Sequence, residues 1–206
     1  LRRQRQMCIR DSLTLVGIFA LTGCGKAAQN TQEDVNSASD ATHLDADFKK
    51  NFDTIELNGS TYKLPMEYSI MEELGFSDSM DPAAELTKGK PVATVFSDEA
   101  GREITGYIAY AGSGESGYKI DSKVIAILAS KETAKDLGLK FYKGISLDST
   151  EDEVAAVLDH MQSGDNGALY GIRMGDYEYL SVSLKDGSVN DIMVINGTDF
   201  FGHAQK

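Results

Sequence analysis

Thiols are nearly absent from this 206-residue sequence. Its two cysteines, Cys8 and Cys24, both lie near the start. Beyond residue 24 there is nothing from which to build a disulfide, a thiolate metal site or a cysteine nucleophile. Histidine is almost as scarce. His43, His160 and His203 show no metal-ligand spacing, and none adjoins a serine in a catalytic motif, which argues against a histidine-based active site. Basic residues are outnumbered, 20 against 32 acidic ones, for a net charge of -12. Four of the basic and one of the acidic side chains fall in residues 1–23, so the rest carries 16 and 31, near -15. Phosphate binding needs a basic surface, so nucleic acid is not an expected partner. Electrostatic docking on anionic lipid is disfavoured for the same reason. The longest apolar run near the start, 13–21, falls far short of the roughly 20 residues a spanning helix needs.

That short run is informative all the same. Its length suits the core of a signal peptide. It ends in Leu21-Thr22-Gly23-Cys24, which resembles the lipobox of bacterial lipoproteins. The resemblance implies that a peptidase cuts after the small Gly23. It also implies that the Cys24 thiol takes a diacylglyceryl group and that the protein sits on the extracytoplasmic side of the cell membrane. Two acyl chains supply the attachment that a stable anchor requires. Residues 1–23 are then a signal peptide. Residues 1–12 either form its positive n-region or resemble translated adapter read-through, and in both cases they are set aside from fold reasoning. Residues 24–47 are rich in Ala, Gln, Asn, Thr, Ser and Asp and are expected to be a disordered tether.

The remainder is long enough for one compact domain or two small subdomains. Asn58-Gly59 predicts a two-residue hairpin turn that pairs Leu57 with Ser60 and Ile55 with Tyr62. Met66, Ile70, Met71 and Leu74 recur at helical spacing, with Gly75 as the stop, which predicts a helix over 66–74. Residues 77–89 read as loop. Strands are expected at 91–97, 103–111 and 123–129, the last central because it is the most apolar. A mobile glycine loop at 112–117 joins the second to the third. It lacks the Lys-Ser/Thr ending of a phosphate loop. Thr150-Glu151-Asp152-Glu153 is a capping box, and Val154, Val157, Leu158 and Met161 form an apolar stripe, which predicts a helix over 150–161. Strands follow at 169–174, 177–184 and 189–196. Each half thus reads helix, strand, strand, strand, with units at 48–136, including the hairpin, and 137–206. The expected fold is α+β: two αβββ units sharing an antiparallel sheet, with the helices packed on one face.

Residues 143–154, Lys-Gly-Ile-Ser-Leu-Asp-Ser-Thr-Glu-Asp-Glu-Val, strengthen that expectation. They resemble the start of the helix-plus-meander repeat in β-lactamase-inhibitor-protein-like folds and in outer-membrane-assembly lipoproteins. Asp148 stands where the repeat usually has a second glycine, and the usual Gly-x-Pro after the helix is absent. The resemblance implies protein binding and carries no catalytic residues.

Asp148, Glu151, Asp152 and Glu153 do not have the spacing of a Ca²⁺ loop and are better explained by the helix macrodipole. His160 is expected near helix carbonyls, and Glu72-Glu73 on a solvated helix face. No metal, cofactor or catalytic group is expected. Tyrosine is abundant, nine residues with no tryptophan. If Leu180, Val182 and Leu184 face the core, then Tyr177 and Tyr179 face away. If Ile172, Ile104 and Ile108 do the same on their strands, Arg173 and Tyr107 also face away. Tyr107, Arg173, Tyr177 and Tyr179 are therefore the candidate binding face, since Tyr and Arg are enriched at interface hot spots. The expected function is non-catalytic: a lipid-anchored protein-binding or inhibitory module whose partner is another envelope or extracellular protein. The alternatives are an envelope lipoprotein that scaffolds a larger complex and, less favoured, a small hydrolase.

Overall fold

The structure is a computed structural model, and it describes residues 43–164 and 167–201. The expected signal peptide, Cys24, the tether up to residue 42 and His203 lie outside the described residues. The first elements are α1 (Ala46–Asn51), β1 (Thr54–Leu57), β2 (Ser60–Lys63), β3 (Met66–Glu67), α2 (Ser69–Glu73), β4 (Ser77–Asp78) and β5 (Glu85–Thr87). They are followed by β6 (Val92–Ser97), β7 (Glu103–Tyr110), β8 (Ser116–Tyr118) and β9 (Ser122–Ser130). The second half adds α3 (Glu151–Ala155), β10 (Asp159–Gly164), β11 (Gly167–Gly175), β12 (Glu178–Lys185) and β13 (Ser188–Asn196).

The fold is mostly antiparallel β-sheet with few, short helices. One sheet runs in the order β10-β11-β12-β13-β9-β7-β6-β4, and β3 also pairs with β9. All of its ladders are antiparallel. β13 and β9 take the middle of that order, and β9, with Val124, Ile125, Ala126 and Ile127 all buried in succession, is covered on both faces. Ile104, Ile108, Val124, Ile172, Leu180, Val182, Ile192 and Val194 join one core with Phe48 of α1, Met71 of α2 and Val154 of α3. The hairpin forms in the predicted register, with Asn58 and Gly59 at φ 52° and 75°. Asp186-Gly187 makes the same two-residue turn between β12 and β13.

Several local expectations need correction. Residues 66–74 are not one helix: β3 comes first and α2 starts only at Ser69. Gly75 does stop it, at φ +84°, where the amides of Gly75 and Phe76 bond Glu72 and Met71. Residues 77–89 contain β4 and β5, and β8 takes in the end of the supposed mobile loop. β5 pairs with β8, Ser116 Oγ bonds Glu85, and Gly112 and Gly117 lie against the Tyr110 ring, so that loop is anchored. The second helix ends at Ala155, and residues 159–164 form the edge strand β10. Leu158 is still buried, but Met161 sits at a bulge, exposed, with its sulfur over Gly171. The ordered domain also starts before residue 48. Asp45 caps α1 by accepting from the Phe48 amide at 2.7 Å, Leu44 packs on the core, and His43 Nδ1 contacts Asp159 Oδ1 at 3.0 Å. Residues 43–47 therefore belong to the fold rather than to a tether.

Candidate functional site

The pleat sends alternate residues to opposite faces, so core residues at 104, 172, 180, 192 and 194 leave their neighbours on the other face. The strand registers align those neighbours across six strands. Arg173 pairs with Tyr179, Tyr179 with Ile195, Ile195 with Ala126, Ala126 with Tyr107, and Tyr107 with Ala93. The next cross-strand row is Gly171, Ser181, Met193, Leu128, Thr105 and Val95. Three of the four candidate residues, Tyr107, Arg173 and Tyr179, thus stand in one row. Ile195 and Ala126, both buried, stand between the two tyrosines in that row.

These two rows combine two tyrosines and several apolar side chains with the hydroxyls of Ser181 and Thr105 and one cation. Tyr179 is half-buried and its hydroxyl points to Met193 Sδ at 3.5 Å. Burial raises its pKa, with the Arg173 charge opposing and Tyr107 adding to the rise. The Arg173 guanidinium is oriented by Asp176 Oδ1 at 2.7 Å and by the Gly175 carbonyl at 3.1 Å. Neither row contains a carboxylate, an imidazole or a thiol; the ionisable groups there are the Tyr107 and Tyr179 phenols and the Arg173 guanidinium. Among the described residues, no cluster of three His, Cys, Asp or Glu is arranged to hold a metal.

Tyr177 does not join the row. It precedes β12, and its ring stacks on Phe201 at 3.5 Å and 4°. The Tyr177 carbonyl accepts from the Gly197 amide at 2.9 Å, and Gly197 lies close to both Ile125 and Phe201. The bulge in β9 inserts Ile125, and the turn at 197–201 covers it at the rim of the face. Tyr177 holds that turn down.

The other candidates have structural partners. Glu153 and Thr150 complete the capping box, and Glu151 accepts from the Tyr170 hydroxyl at 2.9 Å. His160 lies on β10 rather than at a helix end, edge-on to Tyr170 and 2.7 Å from Ser163 Oγ. Glu72 and Glu73 are exposed on α2. A cleft of about 240 Å³ beside α1 has Asp47, Asn51, Glu56, Tyr142 and Lys143 in its wall. These groups bond one another or Lys140. Ile195, Ala126, Met193 and Leu128 were not singled out from sequence as part of the face. The signal was there: 192–195 is apolar on both parities, as expected of a strand whose second face is also apolar.

No protein family matches the sequence, and neither a curated protein nor a solved structure matches it.

Proposed function

We propose that this chain is a lipid-anchored, extracytoplasmic protein-binding or inhibitory module whose partner covers the open sheet face. The observation that carries the reading is the alignment of Arg173, Tyr179 and Tyr107 in one row beside a row that carries Met193, Leu128 and Val95. Tyrosines present large area at low rotamer cost, and a guanidinium held by Asp176 offers a fixed fork of donors. Anchoring is supported by the likeness of residues 21–24 to a lipobox. Cys24→Ser should abolish incorporation of a labelled fatty acid, and unchanged labelling would rule Cys24 out as the acceptor.

The two halves also read as one plan repeated. α2 precedes β6, β7 and β9, α3 precedes β11, β12 and β13, and the meanders abut through their third strands. Met71 and Val154 share the core, which supports helices on a single face and the likeness to β-lactamase-inhibitor-protein-like repeats.

Tyr107→Ala with Arg173→Ala tests the face. Partner capture from envelope extract should weaken at least tenfold, about 1.4 kcal/mol, while the melting temperature barely moves. Glu72→Ala with Glu73→Ala on α2 is the control and should change neither. A folded face variant that captures its partner like the parent would refute the proposal. Tyr177 is unsuitable for this test, because its stack on Phe201 makes its loss structural.

A further inference from the structure

We propose that the outer edge of β6 is a strand-addition site for an extended peptide segment that runs antiparallel to β6 and carries acidic side chains at its carboxyl end. This deepens the protein-binding reading and rests on it only in supposing a protein partner.

The sheet forks at this edge. β4 pairs with β6 at just two positions, Ser77 with Ser97 and Asp78 with Phe96. The chain then leaves the ladder, because the Asp78 carboxylate turns inward to the Tyr68 hydroxyl and to Lys119 Nζ, and the Met80 amide bonds back to Asp78 Oδ1 at 2.8 Å. Between the diverging strands lies a cleft of about 280 Å³ lined by Ser79, Met80, Ala93, Thr94, Val95 and Thr105. Among the described residues, positions 92–95 have a ladder partner only on the β7 side, and that ladder has no register shift. An unpaired, regular edge presents a row of backbone donors and acceptors, which is the template for strand addition.

The opposite edge of the sheet is built differently. β10 is bulged at Met161 and shows His160, Gln162 and Ser163 to solvent, features that discourage pairing. β6 has no charge over 92–96, and Val92 and Val95 are exposed. The cleft wall of Met80, Ala93 and Val95 favours apolar side chains at alternate positions of the added strand.

Charge sets the direction. An antiparallel strand ends beside Val92, and the residues leading into β6 include Lys88 and Lys90. Both are exposed, and neither has an ion pair among the described residues. In a chain with net charge -12, two such cations at one end of a bare edge favour an acidic terminus there.

The test uses two synthetic peptides, Ser-Val-Thr-Val-Thr-Glu-Glu and its twin ending in Lys-Lys, titrated to about 1 mM into the ¹⁵N-labelled intact chain. The acidic peptide should shift the amides of Val92, Ala93, Thr94 and Val95, and its twin should bind at least threefold more weakly. Lys88→Glu with Lys90→Glu should reverse that preference. The Arg173→Ala, Tyr179→Ala variant, on β11 and β12 at the far end of the face, should bind the acidic peptide like the parent, which separates this site from the Arg173–Tyr179 end of the open face. Absence of shifts at 92–95, or equal binding of the twins, would overturn the proposal. Concentration-dependent shifts there without any peptide would assign the edge to a second copy instead.

Discussion

Asp78→Ala should destabilise the domain by about 3–5 kcal/mol, the range for removing one partner of a buried charge pair. The Asp78 side chain is 0% exposed. It accepts from the Tyr68 hydroxyl, from Lys119 Nζ at 3.0 Å and from the Met80 amide at 2.8 Å. Its loss leaves a largely buried ammonium and a buried phenol without an acceptor, beside Phe96. Asp78→Asn keeps the shape and an acceptor oxygen, so it should cost less. The same cluster makes stability fall in alkali. Burial, and then the bond to Asp78, pushes the Tyr68 pKa up to about 12. Burial acts to lower the Lys119 pKa, but its bonds to Tyr68 and Asp78 outweigh this and raise it. Groups whose pKa values are raised on folding give their full stabilisation below the unfolded values, and that stabilisation is lost as pH rises through the folded ones. For Tyr68 the window is pH 10 to 12, and about 3 kcal/mol is at stake. Urea titrations at pH 8, 10 and 12 would show it, and the fall should shrink in Asp78→Ala. A flat profile in the parent would remove Tyr68 from this role.

Elements set by local chemistry were legible in the sequence. The turn residues Asn58-Gly59 and Asp186-Gly187 need positive φ, and they fixed two hairpin registers. Alternation at 180, 182 and 184 fixed which residues face away, and so picked out Tyr179. Elements made by partners distant in sequence were not legible. β5 exists because β8 lies beside it, and β10 because β11 does. The stripe of Val154, Val157, Leu158 and Met161 fits a helix, and only the ladder from His160 to Tyr170 shows why the helix stops. The face itself needed the join of β13 to β9, which sets Tyr179 and Tyr107 in one row. Nothing local encodes that join.

Phe48→Ala is expected to cost about 3–5 kcal/mol, the range for deleting a fully buried ring. Phe48 is 0% exposed, 5.6 Å from the Phe52 ring and edge-on to Tyr142 at 5.1 Å. Tyr142 belongs to the second half of the sequence and also donates to Asp47 at 2.9 Å. That bond is the chief cause lowering the Asp47 pKa. A six-residue helix has too few turns to persist on propensity, so tertiary burial must hold it. The Asp45→Ala, Asp47→Ala variant keeps the ring and the Leu44 contact but removes the Asp45 cap and the Asp47 bond. Loss of the cap alone costs about 1 kcal/mol. The double variant should therefore cost less than Phe48→Ala. Equal losses in urea unfolding would mean that the polar contacts hold α1 and the ring does not. Amide exchange gives a second readout. In Phe48→Ala, protection in α1 should fall first, since α1 is a short helix outside the sheet whose one buried residue is Phe48. Protection in β12, inside the sheet, should fall only by the change in global stability.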